Sequence, residues 1–465
     1  RGPADDVRRV GDAAAVGARA AFAMGAHQLS LSIDPQIPSL KHPADGAAFS
    51  YAALVAELAV RQAGYVPLQE VEAASPPKRL KLAHLVLKGA DSRYSDLAFA
   101  IEAGRRLARD IGSADPERMA PLRVAEIVRK ACEPAGVKVD VVDDAERLQR
   151  EYPLLHAVAR ASLHVPRHRP CVVRLSWCGR GEKERTVLLA GKGVTYDTGG
   201  ADVKVGGGMA GMRRDKCGAA AAVGFVLACA MAPEEQTRGL CVIAEIGCVR
   251  NSTGSDAYVA DEIVVGHAGK RVLVGNTDME GRMVLADCLS HLRQRAVEEK
   301  SPSPCILSLA TLTGHALRSH GPYAVAMDTS AARAIGGVAP RLAEAGAALG
   351  QPIEVSHVRR EDYGHVAPGT SGTPVSQYGG AYDVLQTSTA PSTLTARGHQ
   401  FPAAFLSVAS GLEEHRAGSA TPLPYCHVDL AASVADAQGL ETGSPIVPLF
   451  GHFVMRVAGA GPPRL

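Results

Sequence analysis

Aromatic residues are scarce. Phe, Tyr and Trp make up 4% of the 465 residues, with a single Trp. Ala and Gly are abundant instead, which suits helices packed closely on a sheet. No pair among the ten Cys has C-x-x-C spacing, and most stand in apolar runs, so they read as buried reduced thiols rather than a disulfide frame. Neither sign of charge is in excess: 50 Lys plus Arg face 48 Asp plus Glu. That balance, without a basic stripe, gives no reason to expect nucleic acid or an anionic membrane as partner. The most apolar run, Gly218 to Ala232, holds 15 residues and is too short to span a bilayer. No signal peptide is visible, so the cytosol is the default expectation. H-E-x-x-H and G-x-x-x-x-G-K-[S/T] are both absent, which argues against a thermolysin-like zinc site and a nucleotide P-loop.

What is present is an alternation of helix and strand signals, predicting an α/β fold around a largely buried sheet. Helices are expected over Asp12–Ala26, Ser50–Gly64, Asp96–Ile111, Met119–Cys132 and Tyr152–Ala161. Strands are expected over Gln28–Ile33, Leu80–Leu87, Val137–Val142, Arg169–Trp177 and Arg185–Ala190. The helix Asp96–Ile111 reads as the link between an N-terminal domain, residues 1–111, and a second domain, residues 112–465. Residues 355–400, rich in Gly, Ser, Thr and Pro, read as a long loop or insertion.

Three polar clusters punctuate the apolar runs between Leu188 and Arg282. Lys192 and Asp197 follow the strand expected to end at Ala190. Asp215 opens the Ala-rich helix, where it would also serve as an N-cap. Asp278 and Glu280 follow Val272-Leu273-Val274, and on a strand their carboxylates would share one side, with Arg282 next in the row. Four carboxylates meeting uncompensated would repel one another, and two divalent cations would resolve this. Oxygen-rich donors suit Mn²⁺ or Mg²⁺, and Zn²⁺ accepts them too. A lysine ligand would have to be neutral. From spacing alone, a metal site and solvated loop charges fit equally well.

Lys192-Gly193-x-x-x-Asp197-x-Gly199-Gly200, Lys204, Met212-Arg213-x-Asp215 and Asn276-Thr277-Asp278-x-Glu280-Gly281-Arg282 closely resemble signatures of the cytosolic leucyl aminopeptidase family. Ala310-Thr311-Leu312-Thr313-Gly314, Phe401-Pro402-Ala403-Ala404-Phe405-Leu406 and His427-Val428-Asp429-Leu430-Ala431 extend the likeness, which runs from about residue 112 onward and looks nearest the animal "probable aminopeptidase-like 1" branch. The resemblance implies a small N-terminal α/β domain and a larger catalytic α/β domain with a central mixed sheet flanked by helices, assembled as a homo-hexamer. It implies a metal-dependent aminopeptidase acting on peptides, with Lys192, Asp197, Asp215, Asp278 and Glu280 as ligands of two zinc, manganese or magnesium ions. Asp197 and Glu280 would bridge the ions, and a metal-bound hydroxide would attack. Lys204 would stabilise the oxyanion, Arg282 would anchor a bicarbonate, and Met212, Asn276, Thr311 and Gly314 would line the pocket for the first side chain. His427 and Asp429 are expected to pack and hydrogen-bond near the site, and Cys217 to fill space.

Three features depart from the family pattern. Lys216-Cys217 replaces a small or apolar pair and adds charge near the expected metals. Asp202 and Gly206-Gly207-Gly208 alter the loop carrying Lys204. Residues 355–400 do not match clearly. These departures leave an alternative, a metal-retaining but weakly active peptide-binding or scaffold protein.

Overall fold

The computed structural model describes residues 6–34, 36–37, 49–73, 82, 84–88, 93–369, 380–387, 395–437 and 439–457. Its centre is an eight-stranded mixed sheet in the order Ile353–His357, Ala324–Asp328, Tyr425–Asp429, Pro304–Ala310, Arg185–Asp197, Leu240–Asn251, Cys171–Cys178, Lys138–Val142. In chain order the strands are β1 (Gln28–Ser32), β2 (His84–Lys88), β3 (Lys138–Val142), β4 (Cys171–Cys178), β5 (Arg185–Asp197), β6 (Leu240–Asn251), β7 (Ile263–Val265), β8 (Arg271–Leu273), β9 (Pro304–Ala310), β10 (Ala324–Asp328), β11 (Ile353–His357), β12 (Val384–Leu385) and β13 (Tyr425–Asp429). The central four, β6, β5, β9 and β13, run parallel. β1 and β2 form a separate parallel pair, and β12, β8 and β7 a small third sheet.

The apolar run of β5 shows why the sheet is covered on both faces. Val187 and Leu189 join one core cluster, with the helices Arg93–Ser113, Pro121–Cys132 and Cys217–Met231. Leu188 and Ala190 join the other, with Pro153–Ala159, Glu280–Glu298 and Phe401–Ala409. Alternating side chains thus meet apolar layers on either side, the mark of a buried parallel strand. The α/β class with a central mixed sheet flanked by helices is what the chain forms.

Most expected elements appear within two to four residues of their predicted bounds. Of the strand expected over Leu80–Leu87, residues 80, 81 and 83 lie outside the described residues. Three expectations need correction. First, β5 does not stop at Ala190: its pairing with β6 continues to Asp197 opposite Asn251, so Lys192 and Asp197 stand on the strand. Second, Cys178 and Cys241 form a disulfide, because they face each other across the antiparallel β4–β6 ladder; the other eight Cys are free and buried. Third, residues 355–400 are partly regular, holding the end of β11, a helical turn Arg360–Gly364 and β12; residues 370–379 and 388–394 lie outside the described residues. No helix among the described residues is long and apolar enough to cross a membrane.

The helix Arg93–Ser113 packs along Cys217–Met231, the helix that follows Asp215, and the two backbones nearly touch. A Cβ built on Gly104 would lie 2.1 Å from the Gly224 carbonyl oxygen. Gly104→Ala is therefore expected to destabilise the protein by about 1–3 kcal/mol, although Ala gains about 1 kcal/mol over Gly inside a helix. A urea-unfolding midpoint equal to the wild type's would show that the crossing is not this close.

Candidate active site

The polar clusters converge at the carboxyl ends of β5, β6, β9 and β13, where open α/β sheets place their ligands. Lys192 and Asp197 are five positions apart, an odd spacing that a regular strand would put on opposite faces. The register slips by one residue between Val194 and Tyr196, a bulge that restores a common side. Asp197 is then held by Gly199 N at 2.9 Å and Asn251 Nδ2 at 2.8 Å.

Asp215 is buried on a 3₁₀ turn, Met212–Lys216, before the Ala-rich helix. Its side chain does not cap that helix. Its Oδ1 accepts instead from Lys192 Nζ at 2.7 Å and Thr311 Oγ1 at 2.8 Å. Asp278 and Glu280 converge, but not by strand alternation. Thr277–Met279 is a 3₁₀ turn and Glu280 begins a 19-residue helix. The turn forms because the Asn276 carboxamide accepts from Asp278 N at 2.7 Å, which starts a helix where an extended row was expected.

Two lysines thread the carboxylates. Lys192 Nζ lies 2.7 Å from Asp215 and 2.9 Å from Glu280, and donates to the Thr311 carbonyl at 2.8 Å. Lys204 Nζ lies 2.8 Å from Asp197 and 2.5 Å from Asp278. Burial pushes the Asp278 carboxyl up to about 7, with Asp197 adding to the shift. Burial and neighbouring carboxylates also raise Asp215 and Glu280. Burial disfavours the Lys192 ammonium, but Asp215, Glu280 and Asp197 outweigh it and hold its pKa above the ordinary lysine value.

The remaining candidate residues surround this cluster. Met212 and Asn276 are half-buried on the two turns, Thr311 is buried beside Asp215, and Gly314 opens the helix Gly314–His320, capped by Thr313. Arg282 is buried, donates to the Gln386 carbonyl at 2.8 Å and lies over the Phe401 ring. Its Nε finds no partner among the described residues, and burial lowers its pKa to about 10. His427 bonds Ser308 at 2.7 Å, and Asp429 accepts from Thr313 Oγ1 at 2.6 Å, so both pack as expected. Lys216 departs from expectation. Its ammonium is turned to the Ala114 and Arg213 carbonyls rather than to the carboxylates, because those carbonyls supply buried acceptors at a helix end. Asn251, which clasps Asp197 and the Thr277 carbonyl, was missed by sequence reading; only its place at the end of an apolar strand could have marked it.

The donor set fits divalent cations. One carboxylate oxygen from each of Asp197, Asp278 and Glu280 lies within 4.8 Å of the others. Asp215 Oδ2 and Glu280 Oε2 are buried without a partner among the described residues. Each of the two ammonium groups stands between a pair of acids.

Residues 106–449 match the family model described as the cytosol aminopeptidase family, catalytic domain. The chain is similar to the Caenorhabditis elegans protein "Putative aminopeptidase W07G4.4", 38% identical over 97% of this chain and 82% of that one. A "Probable cytosol aminopeptidase" of Stenotrophomonas maltophilia is 33% identical over 50% of this chain and 45% of its own length. In fold, the chain resembles "Bottromycin maturation enzyme BotP in complex with Mn", with a TM-score of 0.73 at 20% identity over 95% of this chain and 87% of that one.

Gly281 is the residue that lets Lys192 through. A Cβ there would lie 2.4 Å from Lys192 Cε. Gly281→Ala is expected to fold normally, since Ala suits a helix better, but to weaken divalent-cation binding at least about tenfold. Unchanged Mn²⁺ affinity by calorimetry would contradict this.

Proposed function

The chain belongs to the cytosol aminopeptidase family and is a metalloaminopeptidase, and on that premise we propose that it removes N-terminal residues from peptides at a dinuclear site held by Lys192, Asp197, Asp215, Asp278 and Glu280. The observation that carries this reading is the convergence of four carboxylates on two lysines at the end of β5, with buried carboxylate oxygens left without a partner among the described residues. Divalent cations bound there supply Lewis acidity toward a peptide carbonyl and a water. By the family resemblance, Asp197 and Glu280 would help to hold both cations. Zinc or manganese suits these donors, and magnesium is a further fit.

The other residues then have distinct tasks. Lys204 faces Asp197 and Asp278 from the loop side and would donate to the oxyanion that develops on the scissile carbonyl. Arg282, desolvated and with Nε lacking a partner among the described residues, would hold a bicarbonate, whose chemistry there would be that of a proton acceptor. Met212, Asn276, Thr311 and Gly314 would bound the pocket for the first side chain. Residues 1–111 would form an N-terminal domain and 112–465 the catalytic one, in a homo-hexamer in the cytosol. The alternative, a metal-retaining scaffold of low activity, rests on Lys216 and on the altered loop carrying Lys204; of these, the Lys216 ammonium is engaged by the Ala114 and Arg213 carbonyls.

Purified protein with added Mn²⁺ or Zn²⁺ is expected to release leucine from leucyl amide, and chelated protein is not. Glu280→Gln should lower turnover by about three orders of magnitude or more while the fold persists; unchanged turnover would remove Glu280 from the site. Because Asp215 and Glu280 keep Lys192 protonated, cation binding through its Nζ must expel a proton, so affinity rises with pH. Calorimetry in two buffers of different ionisation enthalpy should show this release, and its absence would exclude Lys192 as a ligand.

A further inference from the structure

Lys204 is carried by a loop with few fastenings. Among the described residues, the next bond from beyond Lys204 to the body of the protein is from the Tyr196 hydroxyl to the Met209 carbonyl. Between them Val205, Gly206, Gly207 and Gly208 are exposed, and Gly206 and Gly207 have positive φ. Such a segment does not by itself fix an ammonium to within the few tenths of an ångström that oxyanion stabilisation requires.

The fastening lies just before Lys204. Asp202 Oδ2 accepts from Thr277 N at 2.7 Å and lies 3.0 Å from the Thr277 hydroxyl, while Asp202 N donates to that hydroxyl at 2.8 Å. The hydroxyl also reaches the Gly199 carbonyl at 2.7 Å, and Lys204 N donates to the Thr198 carbonyl at 2.9 Å. Thr277 is fully buried and anchored: its carbonyl accepts from Asn251 Nδ2 at 3.0 Å and from the Tyr258 hydroxyl at 2.7 Å. Asn251 in turn holds Asp197. Thr277 directly precedes Asp278, and both Asp197 and Asp278 face Lys204 Nζ. One buried threonine therefore ties together the three elements that carry Asp197, Lys204 and Asp278.

We propose that Asp202 is a positioning residue, whose carboxylate latches the Lys204 loop onto the Thr277–Asp278 turn and so sets where the Lys204 ammonium stands. The inference rests on the aminopeptidase reading above and adds to it a residue that touches neither substrate nor metal. A charged acceptor on a backbone N–H makes a stronger bond than a neutral one, and an exposed carboxylate can leave without unfolding the protein.

The experiment compares Asp202→Ala and Asp202→Asn with the wild type, in the full chain. In the metal-free protein, hydrogen exchange at the Thr277 amide should quicken about tenfold or more in Asp202→Ala. Trypsin should cut after Lys204 correspondingly faster. Asp202→Asn, which keeps an oxygen acceptor, should recover most of both. In the Mn²⁺-loaded protein, Asp202→Ala should lower kcat on leucyl amide about tenfold, with KM and Mn²⁺ affinity within about twofold, and should cost nothing further in a Lys204→Ala background. Unchanged exchange and cleavage would overturn the latch, and losses that multiply with Lys204→Ala would overturn its action through Lys204. A wild-type chain without metal-dependent hydrolysis would instead sink the aminopeptidase reading, with exchange and proteolysis still deciding whether the latch exists.

Discussion

Four carboxylates crowded at one end of a buried sheet repel each other, and the rest of the site answers that repulsion. At the 4.8 Å spread of Asp197, Asp278 and Glu280, each ionised pair costs roughly 3–4 kcal/mol at an effective dielectric of about 20. Lys192 and Lys204 offset part of this, each bridging two acids. Four acids against two ammonium groups still leave an excess of negative charge when all are ionised. Burial, and after it the neighbouring carboxylates, raise the pKa values of Asp215, Asp278 and Glu280. A site in this condition has an electrostatic reason to take up cations.

The scaffold is arranged to hold the acids near one another in spite of it. The bulge in β5 brings Lys192 and Asp197 to one side, and the Asn276 cap turns the chain so that Asp278 and Glu280 face them. Asn251 and Thr277 bind the strand to the turn, and Thr311, just past the end of β9, supports Asp215. These supports are neutral side chains, so they hold the acids without adding to the charge; Asn251 Oδ1 alone among their polar atoms is buried without a partner among the described residues.

Much of the site was readable because its residues fall in short, specific spacings. Asn276-Thr277-Asp278-x-Glu280-Gly281-Arg282 carries two acids, a cap, a glycine and a buried guanidinium within seven consecutive positions, and the resemblance it supports extends to family membership. The strand reading of that stretch failed because alternation was extrapolated past Val274, where the Asn276 side chain competes with the ladder for backbone donors. Asn251, Gln386 and the Cys178–Cys241 pair were not readable, since each depends on a partner far along the chain.

The amino-acid sequence by itself determined the α/β alternation, the buried character of β5 and the identity of the acids and lysines, because hydrophobic period and local motif are properties of neighbouring residues. Tertiary structure alone decided which of those charges meet. The side on which Asp197 projects depends on a bulge against β6, the direction of Lys216 on carbonyls left open by another helix, and the setting of Lys204 on a threonine 73 positions away. Each is a hydrogen-bond choice between distant segments, and such choices exist only once the sheet has brought those segments together.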